Sequence, residues 1–197
     1  QMASDMGLST AKSYTIKMPG EINHIANIIK YPCILKPEYR TKAFTSTAKA
    51  KAFYADTSKE LLDQYRTFCH VAPEVVVQEF IPGNDNDLYF CFQYYNVKGD
   101  LAASIGGRKI RQWPPLCGST ASCEVVENPE IEELATRFFT KIGYKGPGSM
   151  EFKRDPRDGQ YILIEPTVGR VDWNNGFSEG NGIPIPVLVY NDLVGYP

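Results

Sequence analysis

The sequence predicts an α+β fold in two lobes, with sheets that pair mostly antiparallel. Short apolar, β-branched runs and amphipathic helical periods occur together along the 197 residues. Two pairs of strand-like runs are joined by turn signals, Lys98-Gly99-Asp100 and the segment from Asp155 to Gly159, which reads as hairpins. The run ending at Ile81 breaks at Pro82-Gly83 and passes into a polar loop, which places a lobe boundary there.

In chain order, Gln1 to Leu8 reads as the end of a helix stopped by Gly7, and a chain that starts in mid-helix is expected to be a fragment. Residues 1–13 are then a helix end and linker, 14–81 a smaller lobe and 82–197 a larger one. In the smaller lobe, 15–17 is extended and 21–29 is a helix with Ile22, Ile25, Ala26 and Ile29 on one face. Residues 31–37 form a short apolar strand ending at Lys36-Pro37, followed by a polar loop over 38–47 and a strand over 49–54. Ser58 is the expected cap of a helix with Leu61, Leu62, Tyr65 and Cys69 on its apolar side. Residues 74–81 are a β-branched strand.

In the larger lobe, 88–97 and 101–105 pair as a hairpin, and Gly106-Gly107 leads into Arg108-Lys109-Ile110-Arg111 before the Pro114-Pro115 break. Asn128 caps a helix with Pro129 at its first position and Gly143 as its stop. Residues 148–153 and 160–166 form the last hairpin, and 171–182 reads as a polar loop ahead of a Pro-rich end.

Composition excludes several functions. Hydrophobic residues make up 43% and charged residues 22%, with a formal net charge of −2, so nothing draws the chain as a whole to nucleic acid or anionic membrane. Twelve tyrosines and ten phenylalanines fall mainly in strands that look like core, which argues against a base-stacking surface. No apolar run approaches the roughly 18 residues of a membrane span. The five cysteines (33, 69, 91, 117 and 123) include no closely spaced pair, and two histidines leave little room for a His-based metal site. A reducing, cytoplasmic setting is expected, with Cys33 and Cys91 as small buried hydrophobes.

Four constellations carry chemistry. Glu151 and Glu165 fall about opposite each other across the last hairpin, so both face one side with Cβ atoms about 5 Å apart. Opposed carboxylates repel unless a cation lies between them, and magnesium accepts a few carboxylate oxygens together with phosphates and water. The same pair is also compatible with two exposed glutamates on a hairpin edge. Lys36, at the mouth of an apolar strand, can hold a fixed positive charge against a phosphate, or it can be an ordinary surface lysine. The strand end Gln78-Glu79-Phe80-Ile81 leaves backbone groups that an adenine edge can use. Arg108 and Arg111 follow a Gly-Gly that lets the chain pass close to a ligand, and arginine suits bidentate recognition of carboxylate or phosphate. No glycine-rich P-loop is present.

The ordered series Tyr31-Pro-Cys-Ile-Leu-Lys36-Pro, Val77-Gln-Glu-Phe-Ile-Pro-Gly83, Glu151-Phe-Lys and Leu163-Ile-Glu165 resembles the ATP-grasp superfamily, over about residues 14–175. That superfamily includes carbamoyl phosphate synthase, biotin carboxylase and D-alanine–D-alanine ligase, and the run from Glu151 to Gly159 looks like its carbamoyl phosphate synthase-like branch. The resemblance implies two α+β lobes gripping ATP, with Mg²⁺ (or Mn²⁺ in its place) as cofactor. It implies Lys36 on the phosphates and Gln78, Glu79, Phe80 and Ile81 as the adenine hinge, with Asp85, or next Asp87, on the ribose. Glu151 and Glu165 would hold magnesium, with Thr167 where the family usually has asparagine. Arg108, Arg111 and Arg170 would steady the γ-phosphoryl group or a substrate carboxylate. The implied enzyme is a ligase joining a small-molecule carboxylate to an amine (or thiol) through an acylphosphate, completed by an N-terminal lobe of the full-length chain. Thr167 and Pro166 depart from the family pattern, which leaves a nucleotide-binding module without ligase activity as the second reading.

Overall fold

The computed structural model describes residues 2–48, 52–115, 118–171 and 175–196. They form two compact units, 11–82 and 1–10 together with 83–197, each built around its own sheet.

The first unit is a four-stranded antiparallel sheet of β1 (Ser13–Ile16), β2 (Cys33–Pro37), β3 (Phe53–Ala55) and β4 (Val75–Glu79), in the order β1-β4-β2-β3. Because side chains alternate along a strand, Cys33, Leu35, Val75 and Val77 point to one face and are buried, while Ile34, Lys36, Val76 and Gln78 point to the other and are half-buried. The buried face is covered by the helices α2 (Glu21–Ile28), α3 (Lys42–Thr47) and α4 (Ser58–Phe68), through Ile22, Ile25, Phe44, Leu61 and Tyr65.

Two expectations are corrected here. The polar stretch 38–47 holds α3, because Thr41 caps it by accepting from the Phe44 N–H at 3.1 Å. The cap of α4 is Thr57 rather than Ser58: its hydroxyl accepts from the Glu60 N–H, while the Glu60 carboxylate accepts from the Asp56 N–H. Of the strand expected over 49–54, residues 49–51 lie outside the described residues.

The second unit is a five-stranded antiparallel sheet, β7-β6-β5-β8-β9. Its strands are β5 (Leu88–Tyr95), β6 (Leu101–Trp113), β7 (Ser119–Val125), β8 (Gly146–Arg154) and β9 (Tyr161–Val168). One face packs on α5 (Pro129–Lys141), with Cys91, Met150, Phe152, Ile131 and Phe139 at its centre. The other carries Phe90, Phe92, Tyr94 and Ile105 beneath the C-terminal helices α6 (Asn175–Gly180) and α7 (Ile185–Val194).

Here too the structure departs from expectation. The strand read as 101–105 continues through Gly106-Gly107 to Trp113 and pairs with β7, which sequence reading missed. The Pro-rich end is helical, with proline in the first turn of α7, where a missing N–H costs nothing. Residues 1–10 hold the short helix α1 (Met2–Asp5) and then run beside β9, where Ser9 C=O accepts from Leu163 N–H at 2.8 Å. No helix among the described residues is long and apolar enough to cross a membrane.

Candidate functional site

Glu151 on β8 and Glu165 on β9 are register partners in the second unit. Arg154 pairs with Tyr161 and Phe152 with Leu163, so an unbroken ladder would next set Ile164 against Glu151 and turn Glu165 to the buried face. The register shifts between Glu151 and Phe152, leaving Ile164 as the extra residue of a β-bulge and bringing Glu165 opposite Glu151. Bulges re-aim side chains in this way, and Ile164 itself is 39% exposed.

The acidic pair shares its face with Ser149 and Thr167, the next same-face partners along the ladder. It also shares it with Lys109. Phe90 pairs with Glu151 on one side and with Gly107 on the other, and Lys109 lies two residues beyond Gly107. Lys109 is only 3% exposed, and its Nζ stands 2.6 Å from Glu151 Oε2. Buried lysine is rare unless paired, and the Glu151 carboxylate is the partner that accompanies this burial. Lys153, also buried on that face, donates to Gly83 C=O at 3.1 Å. Two carboxylates, two hydroxyls and two ammonium groups therefore lie along one face of the sheet. The oxygen donors suit a hard cation that completes its shell with phosphate and water, so this set fits magnesium. Among the described residues no group of three or more His, Cys, Asp or Glu converges as a self-sufficient metal cage.

Arg108 is on the other face. It pairs with Tyr89, the neighbour of Phe152, and its Nε donates to Glu124 Oε1 at 3.0 Å, an ion pair that raises the guanidinium pKa. A shallow groove lined by the 84–86 turn, Arg108, Ile110 and Glu124 lies there. Arg111 is exposed, between two irregularities in the β6–β7 ladder. Arg170 is exposed in the loop after β9, following Gly169 at φ 80°. Asp85 accepts from both the backbone N–H (2.8 Å) and the side-chain amide (2.9 Å) of Gln112, fastening the 85–87 turn to β6. Asp87 accepts from the Asn84 N–H at 2.7 Å.

In the first unit, Lys36 and Gln78 are diagonal neighbours on the half-open face, and Lys36 Nζ donates to Gln78 Oε1 at 3.0 Å. The backbone at the end of β4 is more engaged than the sequence suggests. Glu79 N–H donates to Lys12 C=O and Phe80 N–H to Pro32 C=O, while the Glu79 carboxylate meets Lys30 at 3.6 Å.

Sequence reading missed Lys109 and Ser149. The parity that puts Ser149 beside Glu151 was readable from the hairpin. Lys109 was not separable from its neighbours Arg108 and Arg111 without the register of β6. Burial pushes the Cys33 thiol up to about 11 and Cys91 to about 12, so neither is a nucleophile near neutral pH. Cys117, and Trp173 and Asn174 of the polar loop expected over 171–182, lie outside the described residues. Of that loop, Phe177 packs on Phe90 and Phe92.

No protein-family model matches the chain. Among solved structures, it superposes on biotin carboxylase from Campylobacter jejuni, a βγ-ATP complex, with a TM-score of 0.74 and 16% identity over 100% of this chain and 45% of that one. The chain has the ATP-grasp fold. A second neighbour is the biotin carboxylase domain of 2-oxoglutarate carboxylase from Hydrogenobacter thermophilus, with MgADP, ADP and bicarbonate. It gives a TM-score of 0.69 at 19% identity over 98% of this chain and 44% of that one. Among curated proteins, the D-aspartate ligase of Enterococcus faecium (strain Aus0004) is 29% identical over 174 residues, 84% of this chain and 40% of the ligase. The chain thus spans less than half the length of each of these proteins.

Proposed function

We propose that this chain is the nucleotide-binding core of an ATP- and Mg²⁺-dependent ligase that joins a carboxylate to an amine, with amino acids as the substrate class. The observation that carries the reading is the bulge-placed pair of Glu151 and Glu165, with the Lys109 ammonium against it. Similarity to a D-aspartate ligase supports the reaction class, and the MgADP in the 2-oxoglutarate carboxylase structure supports the nucleotide and the metal.

On this reading Glu151 and Glu165 hold the magnesium of Mg-ATP, with the Thr167 hydroxyl as a weaker third donor. The metal supplies charge neutralisation on the phosphates. Lys36 contacts the phosphate chain, and Gln78 to Ile81 hold the adenine through backbone groups and the Gln78 amide. Asp85 or Asp87 reaches the ribose by exchanging one of its present hydrogen bonds. Lys109 and an arginine, Arg111 or Arg170, balance charge on the transferring phosphoryl group. Arg108 is the weaker candidate, since it lies on the opposite sheet face, paired with Glu124. A carboxylate oxygen of the first substrate attacks the γ-phosphorus and ADP leaves. The amine nitrogen of the second then attacks the acyl carbon of the acylphosphate, the acyl C–O bond breaks, and phosphate leaves with the proton that the amine gives up. Both steps need positioning and charge stabilisation more than proton transfer, which suits a face built of lysines, carboxylates and hydroxyls.

The test is Glu165→Gln, which keeps shape and removes charge. Ligand at about 100 times its Kd stabilises a fold by about 2.7 kcal/mol, and the variant should lose most of that Mg-ATP-dependent shift with its unliganded melting unchanged. An undiminished shift would overturn the site. Thr167 favours the second reading, a nucleotide-binding module. ADP release by the full-length protein, stimulated by a panel of amino acids, D-aspartate included, decides between them: stimulation selects the ligase, and binding without it selects the module.

A further inference from the structure

Two opposed carboxylates on one sheet face repel each other, and this protein already places a cation against them. Lys109 brings its ammonium to 2.6 Å from Glu151 while the lysine stays 3% exposed, and Glu165 is the register partner of that same Glu151. The lysine therefore stands where a divalent ion bound by Glu151 would repel it. A lysine stem is flexible and its ammonium is a point charge with rotatable donors, so it can exchange one anionic partner for another nearby. A nucleotide's phosphate chain offers such a partner, and it also adds oxygen ligands to the ion.

We propose that Lys109 is a built-in stand-in for the metal. It compensates the acidic pair in the nucleotide-free protein, and it makes divalent-ion binding depend on a nucleotide whose phosphates draw the ammonium off Glu151. This rests on the reading of Glu151 and Glu165 as the Mg-nucleotide site. Its consequence is thermodynamic: ion and nucleotide each raise the other's affinity, because either one alone must work against the lysine's attachment. A lysine with a purely structural role predicts the reverse for its removal, namely loss of the acidic pair's arrangement and weaker ion binding throughout.

The experiment titrates Mn²⁺ into the full chain, followed by electron paramagnetic resonance, with and without a saturating non-hydrolysable ATP analogue. Wild type, Lys109→Met and Lys109→Gln are compared, with circular dichroism melts as a check on folding. Wild type should bind Mn²⁺ weakly alone and about tenfold or more tighter with the analogue. Either variant should bind Mn²⁺ alone about tenfold tighter than wild type, and its gain from the analogue should fall below about threefold. Nucleotide-free affinity that is unchanged or weakened in a folded variant overturns the proposal. Should neither variant fold, wild type decides: equal Mn²⁺ affinity with and without the analogue overturns it. The underlying site is tested apart from this, since analogue-dependent Mn²⁺ binding that persists in Glu165→Gln would refute the site assignment whatever Lys109 does.

Discussion

Gly107 faces the same side of the sheet as Glu151, since both are register partners of Phe90. A methyl group added there would lie 2.3 Å from Phe90 Cζ and 2.8 Å from Phe177 Cζ. The Gly-Gly step thus leaves room for two aromatic rings, where the sequence suggested room for a ligand. Gly107→Ala should therefore cost about 1–3 kcal/mol by overpacking, read as a lower urea midpoint. An unshifted midpoint would mean the rings move aside freely. The same residue-scale view explains what was legible. Glu151 and Glu165 were found because one turn fixes their parity, which needs no knowledge of the rest of the sheet. Lys109 was hidden because its orientation depends on β6 pairing with β5 far from any turn that sequence alone could anchor.

At the scale of elements, helices with a clear cap and period were legible, and α5 illustrates why: Asn128, Pro129 and Gly143 each act locally. α4 was legible as a helix but not in its first residue, because Thr57 and Ser58 are both good caps and only backbone conformation separates them. Thr57 is extended (φ −137°, ψ 156°), which lets its hydroxyl reach the Glu60 N–H. Thr57→Ala should cost about 1 kcal/mol, while Ser58→Ala, inside the first turn, should stay within about 0.5 kcal/mol. Equal effects in chemical denaturation would restore Ser58 as the cap. β7 and the outer half of β6 stayed invisible because Gly106-Gly107, Pro114-Pro115 and Gly118 around them read as loop, whereas cross-strand pairing supplied the strand. The bulge at Ile164 was equally out of reach, since nothing in Leu163-Ile164-Glu165 marks which residue will be extra.

At the scale of the whole chain, the two units keep separate cores. One cluster gathers Ile16, Leu35, Leu61, Tyr65 and Val77, all within 11–82. The two others, around Phe139 and Met150 and around Phe92 and Ile185, belong to the unit formed by 1–10 and 83–197. Amide hydrogen exchange resolved peptide by peptide reports 11–82 and 83–197 separately. Leu61 is fully buried in the smaller unit's core, and truncating such a leucine to alanine costs about 2–5 kcal/mol. Leu61→Ala should therefore speed exchange of the β2 and β4 amides by about tenfold or more. Unchanged exchange across 11–82 would mean that the core against β2 and β4 closes over the missing side chain at no cost.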